Sequence, residues 1–379
     1  IFLFNKSLVQ PTNTMAAEHC QCQQLWSWGA GTDGQLGTEK LEDEYLPQLI
    51  PFNLSSPIHF IACGGAHVVA LTSDGKAFSW GRGASGQLGH GNTANTLTPK
   101  PITSLNQHFI THASAGWDFS GFVSDSGELF VCGNSSFGQL GLGDYTSHSS
   151  PVKHPILSKN IALISCGLRH SLVLLKNSSA DEVYSFGYGN RGQLGPNSKS
   201  NVIPKLVSGL PSSRIVSISA NGDHSAAIYA NGDVLLWGRS FTSNSSSASM
   251  AASPWVVTSP SSSKFCHVAL GWNHALLLTD EGELFIIGKH KGMTFIGDDG
   301  MRRVKSARVA QVAAGAEHSV IVTENGEVMT WGWAEHGQLG LGHQINQTDP
   351  QCLTLDASFP IVFSGAAFSF ALTTTNKTF

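Results

Sequence analysis

The stretch Gly64–Gly89 reads GGAHVVALTSDGKAFSWGRGASGQLG and contains every motif that decides the fold. After the G-x-x-H motif comes an apolar run, Val68–Leu71, which is typical of a strand buried on both faces. The Asp74-Gly75 pair then supplies the positive φ that a two-residue hairpin turn requires. A second strand, Ala77–Trp80, leads into W-G and then G-Q-L-G. The stretch therefore predicts a β-hairpin followed by a glycine-rich loop.

Both ends of this stretch recur along the chain. The G-x-x-H motif, or a close variant of it that can end in Phe, occurs seven times and ends at His67, Phe119, His170, His224, His274, His318 and Phe368. A second feature is an aromatic or apolar residue followed by Gly, which also occurs seven times, beginning at Trp28, Trp80, Cys132, Phe186, Trp237, Ile287 and Trp331. Five of these pairs precede G-Q-L-G, and successive pairs lie 52, 52, 54, 51, 50 and 44 residues apart. Repeats of about 50 residues are typical of propellers and solenoids.

Seven β-rich repeats predict an all-β fold, a seven-bladed β-propeller in which each blade is a small sheet. The first recognisable element, Leu25–Gly29, is the second half of a blade, and the last, Phe370–Thr373, is the first half of one. We therefore expect the N-terminal strand to complete the last blade, because closure of the ring removes two open sheet edges. An open solenoid is the alternative. The predicted organisation is an N-terminal tail over residues 1–24, expected to be disordered, and the propeller over residues 25–379.

Composition agrees with this fold and limits the function. Of the 379 residues 41 are Gly and 13% are charged, which suits tight turns and short buried strands rather than long solvated helices. With a net charge of −4 there is no broad phosphate-binding surface, so no direct nucleic-acid partner is expected. No apolar run approaches the 18 or so residues of a transmembrane helix, so no membrane insertion is expected.

The seven cysteines are dispersed and lack the paired spacings of a disulfide framework or a zinc site. We therefore expect reduced thiols, no metal, no cofactor, and a cytoplasmic or nuclear location. Residues 1–14 precede a potential start at Met15. They would be upstream translation, a fragment edge or part of an organelle presequence.

Residues that repeat in every unit are predicted to be structural. Each motif histidine would make a fixed hydrogen bond between strands, and the Gln of G-Q-L-G would satisfy backbone groups of its loop. The sequence contains no G-x-x-x-x-G-K-S/T phosphate loop, no H-E-x-x-H and no G-x-S-x-G motif. It therefore predicts no covalent catalysis and no catalytic residues.

Candidate binding residues are those that vary inside the repeated frame. The residue before the motif His or Phe is, in chain order, Ala66, Asp118, Arg169, Asp223, Asn273, Glu317 and Ala367. We expect these related positions to lie on one face of the ring, and two of them follow a Trp. Polar groups beside aromatic anchors are the usual composition of a protein-binding hot spot. The predicted partner-binding residues are Trp117, Asp118, Arg169, Asp223, Trp272, Asn273 and Glu317. The alternative interpretation is a solvated polar rim.

With these motifs the chain resembles the regulator of chromosome condensation repeat family. The resemblance rests on W-G-x-G-x-x-G-Q-L-G, as in Trp80–Gly89, and on the frame of Gly64–Gly75, and it covers about residues 25–375. It implies a seven-bladed propeller. Within the family the chain is most similar to the secretion-regulating guanine nucleotide exchange factor subfamily, on stretches such as Trp331–Gly337. That similarity implies a small GTPase or a secretory-pathway protein as partner.

The resemblance also disfavours some of the functions known in the family. The family's founding exchange factor presses one propeller face and a wedge hairpin against Ran, and an acidic residue before the third-blade His matters in that contact. Here that position is Arg169, which disfavours Ran exchange. A plant UV-B photoreceptor of this fold would need clustered G-W-R-H-T motifs, whereas Trp117 and Trp272 precede Asp118 and Asn273. We expect an exchange factor or regulator of a small GTPase, with a non-catalytic scaffold as the alternative and a UV-B photoreceptor disfavoured.

Overall fold

Seven antiparallel sheets contain all the strands of the part of the chain that the structure describes. The structure, a computed structural model, describes residues 21–51, 56–157, 159–196, 198–241, 254–290, 293–295, 301–355 and 358–376. Each sheet is one blade, and in six of the seven described sheets all consecutive strands of the blade are neighbours. The fold class predicted from the repeats, an all-β seven-bladed propeller, is confirmed.

The blades are numbered in chain order. Strands β1 (Gln21–Gly29) and β2 (Glu44–Leu49) belong to the last blade. Blade 1 consists of β3 (Ile58–Cys63), β4 (His67–Thr72), β5 (Ala77–Gly81) and β6 (Thr96–Pro101). Blade 2 consists of β7 (Ile110–Ala115), β8 (Phe119–Ser124), β9 (Leu129–Gly133) and β10 (His148–Lys153). Blade 3 consists of β11 (Ile161–Cys166), β12 (His170–Leu175), β13 (Glu182–Gly187) and β14 (Asn201–Leu206). A short 3₁₀ helix, Thr103–Leu105, follows β6.

The later blades repeat this arrangement. Blade 4 consists of β15 (Ile215–Asn221), β16 (His224–Tyr229), β17 (Val234–Gly238) and β18 (Trp255–Val257). Blade 5 consists of β19 (Phe265–Leu270), β20 (His274–Thr279), β21 (Leu284–His290), β22 (Met293–Phe295) and β23 (Met301–Arg303). Blade 6 consists of β24 (Val309–Ala314), β25 (His318–Thr323), β26 (Val328–Gly332) and β27 (Gln347–Leu353). Blade 5 differs in that β21 pairs with both β22 and β23. Blade 7 contains β28 (Ser358–Ser364) and β29 (Phe368–Asn376), in the order β2-β1-β29-β28.

Burial changes from the inner to the outer strands of a blade. The second strands β4, β8, β16, β20 and β25 are buried at every residue, as expected for strands that pack between two neighbouring blades. Most outermost strands are partly exposed and contain a proline: Pro47, Pro99, Pro151, Pro204 and Pro350. Proline is tolerated in a strand chiefly at a sheet edge, where it also blunts pairing with another chain.

The first strands of the blades form the inside of a ring. Each contacts the first strand of the next blade, and β28 contacts β3. Strand β1 pairs with β29 over nine residue pairs, from Gln21↔Asn376 to Gly29↔Phe368, and pairs with β2 on its other side. The predicted boundary between residues 24 and 25 thus falls within β1, and residues 1–20 of the predicted tail lie outside the described residues.

Because successive strands of a blade run in opposite directions, the loops that join them emerge alternately on two faces of the ring. Loops that join first to second strands, and third to fourth strands, emerge on one face, which we call the motif face. The turns between second and third strands lie on the opposite face. There Gly75 has a φ of +78°, and a Cβ at this position would clash with the Phe109 ring. This turn therefore requires glycine, as the Asp-Gly pair predicted.

Candidate functional site

The loops between first and second strands form a hoop around the propeller axis on the motif face. Their residues are 64–66, 116–118, 167–169, 222–223, 271–273, 315–317 and 365–367. Backbone N–H groups link six of the seven loops to the next, for example Trp117 to the Gly167 carbonyl at 3.2 Å and Ala366 to the Gly64 carbonyl at 3.1 Å. Between blades 4 and 5 a side chain makes the link, because Asn221 Nδ2 donates to the Leu270 carbonyl at 2.6 Å. The hoop holds its side chains on a rigid base.

The motif histidines join neighbouring blades just beneath the hoop. His67 Nε2 lies 2.8 Å from Ser120 Oγ, and His170 and His318 make the same contact with the serines of their next blades, Ser225 and Ser369. Burial lowers the pKa of His67, His170 and His318 to about 3, so each is neutral at physiological pH. The structural role predicted for these histidines is confirmed.

Two concentric rings of side chains stand on this base. The inner ring is the position before the motif His or Phe, and the outer ring is the residue after each aromatic- or apolar-Gly pair. The outer-ring N–H donates to the inner-ring carbonyl in every blade, at 2.8 to 3.0 Å. The outer ring consists of Ala30, Arg82, Asn134, Tyr188, Arg239, Lys289 and Trp333. The predicted binding residues do not include this ring, although its position after the repeated Gly is as regular as that of the inner ring.

Asp118 is a half-buried carboxylate held by its own blade. Asn134 Nδ2 of the outer ring donates to Asp118 Oδ2 at 2.7 Å. Burial raises the pKa of Asp118, and the hydrogen bond from Asn134 is the largest effect that opposes the rise. The positive charges of Arg169 and Arg82 oppose it as well. Groups of the protein itself thus offset part of the negative charge of Asp118.

Asp223, two blades further on, is instead held by the blade that precedes its own. Gln193 Nε2, from the G-Q-L-G loop of blade 3, donates to Asp223 Oδ1 at 3.1 Å. Burial raises the pKa of Asp223, and the charges of Arg191, Arg239 and Arg169 oppose the rise. Arg169 therefore acts on both inner-ring aspartates, which lie on either side of it.

The exposed charged groups that act on Asp118 and Asp223 are basic. Arg82, Arg169, Arg191 and Arg239 are all exposed, whereas Asp118 and Asp223 are half-buried and Glu317 is buried. Glu317 Oε1 accepts a hydrogen bond from Asn273 Nδ2 of the neighbouring blade. The sequence predicted a ring of mixed acidic, basic and amide groups, and burial changes which of these groups the ring presents to solvent.

Trp117 and Trp272 meet although they belong to blades 2 and 5. Their ring centroids are 5.3 Å apart with an interplanar angle of 44°, and Trp117 is 39% exposed. Because these blades lie on opposite sides of the ring, the indoles span the axis above the hoop. Gly65 packs directly beneath, where a Cβ would lie 2.9 Å from the Trp117 ring.

The seven residues predicted to bind a partner all lie on the hoop. The structure brings Trp117 and Trp272 into contact, pairs Asn273 with Glu317, and places Arg169 between the two aspartates. Their role in partner binding stays a prediction. Within the described residues no group of three or more His, Cys, Asp or Glu side chains is placed to hold a metal ion. Nor does that part of the chain contain a helix long and apolar enough to cross a membrane.

A family model and two curated relatives match much of the chain. The family described as RCC1-like domain matches residues 24–373. Ultraviolet-B receptor UVR8 of Arabidopsis thaliana is 31% identical over 270 residues, 70% of this chain and 61% of the relative. Secretion-regulating guanine nucleotide exchange factor of Bos taurus is 31% identical over 278 residues, 70% of this chain and 59% of the relative. The chain thus spans less than two thirds of the length of these relatives.

A solved structure is similar over almost the whole propeller. The crystal structure of Prp20p from Saccharomyces cerevisiae, described together with its binding properties to Gsp1p and histones, has a TM-score of 0.80. The match covers 95% of this chain and 93% of that one, at 22% sequence identity. At this identity the likeness concerns the fold.

Proposed function

This chain belongs to the RCC1-like domain family, and we propose that it is a protein-binding propeller that acts as a guanine nucleotide exchange factor or regulator of a small GTPase. The resemblance to a relative named as a secretion-regulating guanine nucleotide exchange factor supports this proposal. The partner would be a small GTPase or a secretory-pathway protein, bound on the motif face.

The observation that carries the proposal is the rigid hoop with its two rings of variable side chains. Backbone hydrogen bonds between blades fix the hoop, so the loops that carry the polar groups need little ordering when a partner binds. The Trp117–Trp272 pair adds a large aromatic surface at its centre. Rigid aromatic groups surrounded by polar ones are typical of binding hot spots.

Exchange on such a surface needs no covalent step. The propeller would bind the nucleotide-free GTPase more tightly than the GDP-bound form, and this difference in affinity lowers the barrier to nucleotide release. Asp118, Asp223 and Glu317 would contribute hydrogen-bond acceptors and charge. A scaffold would instead bind both forms equally and leave the release rate unchanged.

The test is release of fluorescent GDP from a panel of small GTPases, Ran included, with and without the full chain. An exchange factor accelerates release from one member and binds its nucleotide-free form best. Asp118→Ala, Asp223→Ala and Glu317→Ala should each weaken that binding. Glu324→Ala, an exposed residue of an opposite-face turn, is the matched control. No acceleration across the panel favours the scaffold, and normal binding by all three variants would show that the motif face is not used.

A further inference from the structure

An aromatic cleft opens on the motif face where blades 2 and 3 meet. It is lined by Ser136, Phe137 and Tyr145 from one blade and by Tyr188 and Ser200 from the next. The Phe137 and Tyr188 rings meet edge to face, with centroids 5.5 Å apart. Tyr145 is 63% exposed. The cleft therefore offers aromatic surface that the fold itself leaves uncovered.

The charged groups next to the cleft are mainly basic. The Arg169 guanidinium lies 4.4 Å from the centroid of the Phe137 ring, in a cation–π arrangement that holds it at the edge of the cleft. Lys199 precedes the lining residue Ser200, and Arg191 follows Tyr188 in the same loop; both are exposed. Asp144, beside Tyr145, is the acidic neighbour, and its Oδ1 accepts the Thr146 N–H at 2.8 Å.

The inner-ring aspartates do not cancel this basic charge at the surface. Asp118 and Asp223 are half-buried and accept hydrogen bonds from Asn134 and Gln193. Arg169 lies between them and is itself exposed. A ligand approaching from solvent meets guanidinium groups first, although the whole chain has a net charge of −4.

We propose that this cleft, with Arg169, Arg191 and Lys199 around it, binds an acidic segment of a partner protein through one bulky apolar side chain. The apolar side chain would pack in the cleft against the Phe137, Tyr145 and Tyr188 rings, while flanking carboxylates pair with the basic groups. The planar guanidinium group of arginine matches the geometry of a carboxylate, so arginine favours such pairs. The inference rests on the proposal that the motif face is the partner-binding face, and it specifies the chemistry of the partner.

The test is fluorescence anisotropy with the full chain and three labelled peptides. The first has a central Phe between runs of Asp and Glu, the second has Ala in place of that Phe, and the third has Lys in place of the acidic residues. We expect the first peptide to bind, with affinity falling as salt rises, and the other two to bind at least about tenfold more weakly. Equal binding of the acidic and basic peptides, or no binding of the first, would overturn the inference.

Variants then locate the site. Arg169→Glu and Tyr188→Ala should each weaken the first peptide at least about tenfold. Lys264→Glu makes the same charge change at an exposed opposite-face position and should have little effect. Circular dichroism confirms that each variant is folded. GDP release measured in parallel separates the two proposals: exchange without peptide binding removes only this inference, and peptide binding without exchange removes only the exchange activity.

Discussion

The motif histidines His67, His170, His224 and His318 are neutral groups buried between blades, and this makes the fold sensitive to acid. Burial lowers the pKa of His67, His170 and His318 from 6.5 to about 3 and that of His224 to about 4. The unfolded chain therefore takes up protons below pH 6.5 while the folded chain does not. The stability that the neutral histidines contribute is fully present above pH 6.5. Below this pH the free energy of unfolding falls, by about 1.4 kcal/mol per histidine for each pH unit.

Urea unfolding between pH 7.5 and 5.5 measures this loss. His67→Phe is the informative variant, because Phe119 and Phe368 occupy the same position in blades 2 and 7. Ser120 keeps a partner in that variant, since its Oγ also donates to the Gln87 carbonyl. We expect a shallower pH dependence, by one titrating group. An unchanged slope would mean that His67 does not titrate on unfolding.

For single residues, the sequence predicted structural roles well but solvent exposure poorly. A histidine repeated on several blades indicated a structural hydrogen bond, and His67, His170 and His318 each make one. Nothing in the sequence showed that Glu317 is buried or that Arg169 is exposed. Both occupy the same position of the repeat, and their exposure depends on which side chains the adjacent blades place beside them.

The G-Q-L-G loop is the element that joins one blade to the next, and Gln87 shows how. Its Oε1 accepts the Ser85 N–H at 2.9 Å inside the loop, as predicted from the repeated motif. Its backbone carbonyl accepts a hydrogen bond from Ser120 Oγ of blade 2 at 2.8 Å. Leu88 beside it is 1% exposed. The loop is therefore both an internal turn and an interblade clamp.

We predict that Gln87→Ala destabilises the protein by about 1 to 3 kcal/mol, because the Ser85 N–H loses its partner. Leu88→Ala should cost about 2 to 5 kcal/mol through lost burial and a cavity. Thr93→Ala, exposed in the same loop, is the control and should change stability by less than about 0.5 kcal/mol. Urea midpoints measure all three. Equal midpoints for Gln87→Ala and the control would show that the Gln87 side chain does not stabilise the loop.

For the whole molecule, the contacts that sequence could not predict are those that depend on the ring. Trp117 and Trp272 are distant in the chain, and only the sevenfold arrangement brings their rings to 5.3 Å. The repeat predicted the number of blades, because each unit carries its own hairpin signals. It could not predict contacts across the axis, which depend on the diameter of the ring and on loop direction.

Strand β1 and the loop after it join blade 7 to both of its neighbours, blades 6 and 1. It pairs with β29 and β2 within blade 7, and Trp28 Nε1 donates to the Gln338 carbonyl of blade 6 at 3.0 Å. The loop after β1 accepts from Trp80 of blade 1, since its Nε1 lies 2.9 Å from the Gln35 carbonyl. Loss of β1 would uncover the long edge of β29 and break the link to blade 6 together.

We therefore predict that a chain beginning at residue 30 loses cooperative unfolding and self-associates, when compared with one beginning at residue 21. An unpaired strand edge is a template for pairing with another chain. Light scattering after size-exclusion chromatography measures the association, and thermal unfolding followed by circular dichroism measures the cooperativity. A peptide of residues 21–29 added in trans should compete with self-association by occupying the β29 edge. If the shortened chain stays monomeric with the same midpoint, β1 is dispensable and the inner strands alone hold the ring together.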